Sequence, residues 1–135
     1  MKIREAREFY ENLGKAFFAV AAADRVVRKE EKETLQWLVQ QKWAGIEKST
    51  DEFGADASFQ IETMVDWLET HNLSANEAFE EFHEYRQAHG EYFTEPVKAL
   101  TLKTAEAIAD SFLGKNKSEL VMLYKLKSIL SNSKL

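Results

Sequence analysis

Apolar residues recur at alternating steps of three and four from the start of the chain: Ile3, Ala6, Tyr10, Leu13, Phe17 and Val20. That spacing predicts an amphipathic first helix of about 20 residues. Beyond Leu13 the stripe widens into an unbroken apolar run from Ala16 to Ala23, which leaves little polar face and places this half at the centre of the core. Gly14 lies inside the helix, where it costs about 1 kcal/mol relative to alanine, and so points to close packing or a local bend.

The same reading yields five more helices. A second starts near Arg28, turns Leu35, Leu38, Val39 and Trp43 inward, and is expected to end at Gly45 in a left-handed cap. A loop over residues 46–56 leads to a third helix with Ile61, Met64, Val65 and Leu68, ending near His71. Ser74 and Glu77 have capping-box spacing and open a fourth, carrying Ala78, Phe79, Phe82 and Tyr85 and closing at Gly90. Thr94 is expected to cap the fifth, whose first turn accepts Pro96 because no intrahelical donor is needed there. Its stripes, Val97, Leu100, Thr104, Ile108 and Phe112 with Leu102, Ala105 and Ala109, predict burial on two sides. Gly114 is expected to end it and Ser118 to cap the sixth, with Leu120, Leu123, Tyr124, Leu126 and Leu130 facing inward. No alternating strand pattern competes, and one proline with five glycines in 135 residues agrees with an all-α single domain spanning residues 1–135.

A chain of this size buries a core without metal or disulfide staples. The absence of cysteine excludes thiol catalysis, thiolate zinc and disulfides. The charged N-terminus lacks the apolar centre of a signal peptide. The eight-residue apolar run falls far short of the ~20 residues that cross a bilayer, so the expectation is a soluble, cytoplasmic protein without a transmembrane segment. The net charge of -5 is unevenly spread: residues 1–46 carry +2, residues 47–95 carry -11 and residues 96–135 carry +4. The acidic middle repels a phosphate backbone, and no basic stripe with interleaved aromatics offsets it, so nucleic acid is not an expected partner. An acidic run is most simply a solvated helix face; a surface for a cation or a basic protein is the sharper alternative.

Catalytic patterns are sparse. His83 and His89 are six residues apart, which rotates the second imidazole by about 240° from the first and defeats a helical zinc motif. Glu80 and His83 have the spacing of a di-iron half-site, but no second copy exists to complete it. No Gly-x-Ser-x-Gly turn and no phosphate-cradling glycine loop is present. Trp37, Trp43 and Trp67 read as core, although Trp37 lies off the Leu35/Val39 stripe and is expected to cover a neighbouring helix or sit in a groove.

The stretch Ala21-Ala22-Ala23-Asp24, followed by Val26-Val27 and Glu30-Glu31 and continuing to Leu35 and Leu38, resembles the signature of the TerB-like family, the tellurite-resistance-associated helical domains. The resemblance covers residues 13–40. A weaker echo runs from Ala107-Ile108-Ala109-Asp110 to Glu119 and Leu123, where Glu119 aligns with Glu31 or with Glu33 depending on the turn length. It implies two helix-pair units, helices one and two against five and six, with the acidic third and fourth helices intervening. It also implies acidic metal-binding sites, in which Asp24 with Glu31, and Asp110 with Glu119, would offer hard oxygen ligands to a divalent cation such as calcium or magnesium.

Where the family has glycine after the aspartate this chain has Arg25 and Ser111, which disfavours a tight positive-φ turn and sets a cation beside the first carboxylate. A structural cap is therefore the first expectation for Asp24 and a ligand the second. The expected function is a non-enzymatic binding module of the tellurite-resistance or stress-response type, acting through a protein partner, with divalent cations as a further ligand class. The alternative is a small enzyme using carboxylates of the acidic middle segment as acid and base.

Overall fold

The computed structural model describes residues 3–45, 54–111 and 117–131, which form six α-helices and, among those residues, no strand. They are α1 (Ile3–Ala21), α2 (Lys29–Leu38), α3 (Gln60–Thr70), α4 (Ala75–Ala88), α5 (Glu95–Asp110) and α6 (Lys117–Ser131). A π-turn, Val39–Trp43, extends α2, and 3-10 turns Gly54–Phe59 and Gly90–Tyr92 precede α3 and follow α4. No helix among the described residues is long and apolar enough to cross a membrane.

The central element is α1. Its widened stripe behaves as the sequence predicts, with Leu13, Phe17, Ala19 and Val20 fully buried. Its most extensive packing is against α3 and α4, then against α5 and α6, while α2 packs on α5. The acidic helices are therefore the principal cover of the core, not an intervening part between two helix pairs. Their carboxylates, Glu62 excepted, face outward while Ile61, Val65, Leu68, Ala78, Phe79 and Phe82 face α1 and the interior. Gly14 is a contact residue: a Cβ there would lie 2.7 Å from the Ile61 carbonyl oxygen and 2.8 Å from Met64 Cβ, so the missing side chain lets α1 and α3 approach.

Two aromatic groups tie the remaining helices together. Trp43 is fully buried, meets Tyr10 edge-on at 6.5 Å and Phe17 at a tilt at 6.0 Å, and donates its indole N–H to Thr104 Oγ1 at 3.0 Å, joining the end of α2 to α5. Phe93, in the turn before α5, packs edge-on against Phe9 and Phe82. Arg86 of α4 lies over the Phe93 ring at 5.3 Å and donates to the Leu130 carbonyl oxygen at the end of α6. Burying those aromatic faces at helical spacing supplies roughly 2 kcal/mol for each large side chain.

Several boundaries differ from the sequence reading. Gly45 continues helically and is not left-handed; the left-handed residues are Arg25 (φ 73°) and Asn72 (φ 57°). Asn72 ends α3 in a Schellman-type turn, with the Leu73 N–H donating to Leu68 O at 3.2 Å. Asparagine tolerates that conformation better than most side chains. Thr94 occupies the N-cap position of α5 without a side-chain capping bond, and Ser118 lies inside the first turn of α6 instead of preceding it. On α6 the inward residues are Glu119, Met122, Leu126 and Leu130, whereas Leu120 and Tyr124 point to solvent. That helix carries two apolar faces, and periodicity alone does not say which one the core takes. Gly114, Phe112 and most of the 46–56 loop lie outside the described residues.

Candidate functional site

Three of the four acidic residues singled out from the sequence meet at one place, where α2 and α6 begin. Asp24 lies in the turn after α1: its Oδ1 accepts from the Val26 N–H at 3.1 Å, and its Oδ2 pairs with the Arg28 guanidinium at 2.9 Å. It closes the turn and does not cap the helix. The N-cap position of α2 is Arg28, whose backbone N–H donates to Glu31 Oε1 at 2.8 Å. The carboxylate at the third helical position thus satisfies a donor that α2 leaves open, favoured by the positive end of the helix.

The turn contradicts the expectation drawn from the missing glycine. Arg25 adopts a left-handed backbone although it is not glycine, with its N–H donating to Ala22 O at 2.8 Å. The cation beside Asp24 is Arg28, four residues on, while Arg25 is exposed. Arg28 escaped the sequence reading; the i, i+4 spacing from Asp24 was the signal that pointed to it.

Glu31 is 1% exposed and Glu119, from the first turn of α6, is 2% exposed. Their side chains face each other, and Arg28 Nη1 stands 3.9 Å from Glu119 Oε2. Burial pushes the Glu31 carboxyl up to about 8, helped by the hydrogen bond and charge of Glu119 and opposed by the Arg28 backbone N–H and guanidinium. Near neutral pH Glu31 is therefore mostly protonated and supplies the proton between the two carboxyl groups. Bonding to Asp24 holds the Arg28 guanidinium pKa above its ordinary value. Glu31 meets Glu119 across the fold, and Arg28, bonded to both Asp24 and Glu31, stands near Glu119. Asp110 is the exposed last residue of α5.

This junction does not fit a divalent cation. A guanidinium lies among the carboxylates, whereas hard-cation sites need several ionised or carbonyl oxygens converging on one point. Among the described residues no group of three or more His, Asp or Glu side chains is arranged to hold a metal ion.

A second region lies on α3 and α4. Asp66, Glu69, Glu77, Glu80, Glu81 and Glu84 are all exposed, and the one basic side chain of these two helices, Arg86, is buried. Lys32 reaches over from α2 to Asp66 and Glu69 at 3.2 and 2.8 Å, and Lys15 from α1 to Glu81 at 3.0 Å. Between α1, α3 and α4 runs a groove of about 460 Å3 lined by the apolar Met64, Leu68 and Leu73 and by Glu11, Lys15, Glu81 and Trp67. Trp67 is 50% exposed and stacks on His71 at 3.9 Å, so it is a surface residue and not core as the sequence reading had it. Its place next to Leu68 and off the Ile61/Val65/Leu68 stripe was the same signal that set Trp37 apart, and Trp37 is likewise exposed, at 56%.

Glu62, on the α2 side of α3, lines a separate pocket with Lys29, Lys32 and Asp66 over Val27 and Val65. Its Oε2 is buried without a hydrogen-bond partner, and burial together with the Asp66 charge raises its pKa. In comparisons with known proteins, no family model, no curated sequence and no solved structure matches this chain.

Proposed function

We propose that the chain is a non-enzymatic binding module of the TerB-like kind, whose α3–α4 face docks a basic amphipathic helix of a protein partner. The observation that carries this reading is the row of exposed carboxylates Glu77, Glu80, Glu81 and Glu84 on α4, a helix with no exposed Lys or Arg, of which Glu81 lines an apolar groove edged by the half-exposed Trp67. An apolar stripe of a partner helix fills the groove, while flanking lysines or arginines meet the carboxylates, which steer encounter and fix register. Large, half-exposed aromatic residues at the edge of an apolar groove are what binding surfaces concentrate their energy on. The stress-response or tellurite setting is carried by the resemblance of residues 13–40.

Titration with a synthetic lysine–leucine amphipathic peptide, followed by tryptophan fluorescence, tests this. Saturable binding that weakens with salt, falls at least about tenfold in Glu81→Lys/Glu84→Lys, and is absent for a glutamate–leucine peptide supports it. Equal binding by wild type and the charge-reversed variant excludes it.

A second reading, a small enzyme, is favoured by one observation: the raised Glu62 carboxyl inside a pocket beside Lys32 and Asp66. A carboxyl whose pKa is raised by burial is a candidate for proton transfer. Ligand-observed NMR with a set of small amines and carboxylates tests it; binding lost in Glu62→Gln supports a pocket ligand, and no binding by the wild type excludes one.

A further inference from the structure

The outward face of α6 is the chemical complement of the groove on α3 and α4. Leu120, Val121 and Tyr124 are 48%, 52% and 74% exposed and sit together on one side of the helix. At 100° per residue they fall with Lys117 and Lys127 inside an arc of about 120° that contains no carboxylate. The acidic residue of α6, Glu119, points the opposite way, into the junction with Glu31. The face is therefore an apolar stripe bordered by exposed lysines, on a helix of 15 residues.

That face and the groove lie on different sides of the molecule. The groove is formed by α1, α3 and α4, with Glu81 turned toward Lys15 of α1. On α4 the residues that meet α6 are others: Lys125 lies over the Phe79 ring at 5.1 Å, and Arg86 donates to Leu130 O. One chain cannot fold its own α6 into its own groove while these contacts hold. A neighbouring molecule can.

We infer that the occupant of the α3–α4 groove is the exposed face of α6 from a second copy of this chain, so that molecules associate head to tail. This rests on the docking reading above and names its partner. Leu120, Val121 and Tyr124 enter the groove beside Trp67, and Lys117 and Lys127 meet the carboxylates of α3 and α4. The complementarity of the contact lies between the exposed Lys117 and Lys127 of α6 and the exposed Glu77, Glu80, Glu81 and Glu84 of α4. Because the two surfaces differ, the contact is heterologous and repeats, giving a ring if the rotation closes and an open chain if it does not.

Sedimentation equilibrium over a wide concentration range tests this with two variants, Tyr124→Glu on the helix side and Trp67→Lys on the groove side. Both positions are exposed, and circular dichroism checks that each variant stays helical. The wild type is expected to exceed the mass of one 15.6 kDa chain as concentration rises, and less so at high salt. Each variant alone is expected to need at least about tenfold more protein to associate. Mixed in equal amounts, the two variants are expected to form dimers and nothing larger, because one retains an intact groove and the other an intact helix face.

A wild type that stays monomeric throughout, or variants that fail to rescue each other, overturns the inference. If the monomeric wild type still binds the lysine–leucine peptide through Trp67, the second copy is the wrong partner and the docking surface stands; if it binds neither, both fall. Monomeric protein whose Tyr124→Glu variant loses binding to phosphatidylserine vesicles would assign the α6 face to a membrane surface, which also overturns it.

Discussion

Glu31 and Glu119 meet with both side chains withdrawn from solvent, each in the first turn of its helix, and Arg28 stands beside them. The pair joins α2 to α6, two helices whose other packing runs largely through α5. Its stability depends on a proton. The folded-state pKa of Glu31 is about 8, against roughly 4.3 for a glutamate in an unfolded chain. Between those values the folded protein holds a proton that the unfolded chain has released, so stability falls as pH rises. The contribution is fully present below about pH 4.3 and is lost as pH rises through about 8.

The first prediction follows. Urea unfolding at several pH values is expected to show stability declining from about pH 5 to 8, with at most about 1.4 kcal/mol per pH unit from this one proton. Arg28 keeps its charge across that range. In Glu31→Gln the amide oxygen still accepts from the Arg28 N–H, and the amide N–H donates to Glu119 without a proton to lose. The variant is expected to flatten the pH dependence and to be the more stable protein at pH 9. A variant as pH-dependent as the wild type contradicts the shared proton.

The left-handed Arg25 yields the second. An L-residue with φ 73° gives up about 1–2 kcal/mol relative to glycine in the folded state, while glycine adds about 0.4–1 kcal/mol of entropy to the unfolded chain. Arg25→Gly is therefore expected to stabilise by up to about 1 kcal/mol, read as a higher urea midpoint at unchanged slope. A lower midpoint would mean that the exposed Arg25 side chain makes a contact worth more than the backbone strain.

Gly14 gives a prediction of opposite sign. Alanine gains about 1 kcal/mol of helix propensity, but its Cβ would stand 2.7 Å from a backbone oxygen of α3, an atom that moves only if the helix moves. Overpacking of this kind costs about 1–3 kcal/mol. Gly14→Ala is expected to lower the melting temperature, and a stabilised variant would show that α1 and α3 are less tightly apposed.

Helix number, type and most boundaries were legible in the sequence because burial repeats every 3.6 residues and Ser74, Pro96 and Gly14 mark specific backbone needs. Four features were not. On α6 two apolar stripes coexist, and only the position of α5 and α1 decides that Met122 and Leu126 turn inward while Leu120 and Tyr124 stay out. Arg25 stands where the backbone conformation calls for glycine, because the contacts around the turn impose a conformation that local preference opposes. The meeting of Glu31 with Glu119 is a tertiary fact: the resemblance names each acid with the aspartate preceding it, and no local spacing signals the contact between the two helix starts. Likewise the acidic helices looked accessory from their charge, yet their inward faces close the core.

Asp24 supports the turn through two separable bonds, and the final prediction separates them. Asp24→Ala removes the acceptor of the Val26 N–H and the partner of Arg28, and is expected to destabilise by about 1 kcal/mol, the usual scale for losing a local carboxylate acceptor. Asp24→Asn keeps the first bond and gives up the ion pair, which is partly exposed and worth at most about 1 kcal/mol. Asparagine is therefore expected to fall between wild type and alanine. Either change also releases Arg28 toward Glu119 and Glu31, favouring the ionised form of Glu31 and moving the pH-dependent loss of stability to lower pH. Millimolar calcium or magnesium is expected to leave the melting curves of wild type and both variants unchanged, since Arg28 already supplies the positive charge at this junction. A calcium-dependent rise in the wild type that disappears in Asp24→Asn would show instead that the guanidinium gives way to a metal ion.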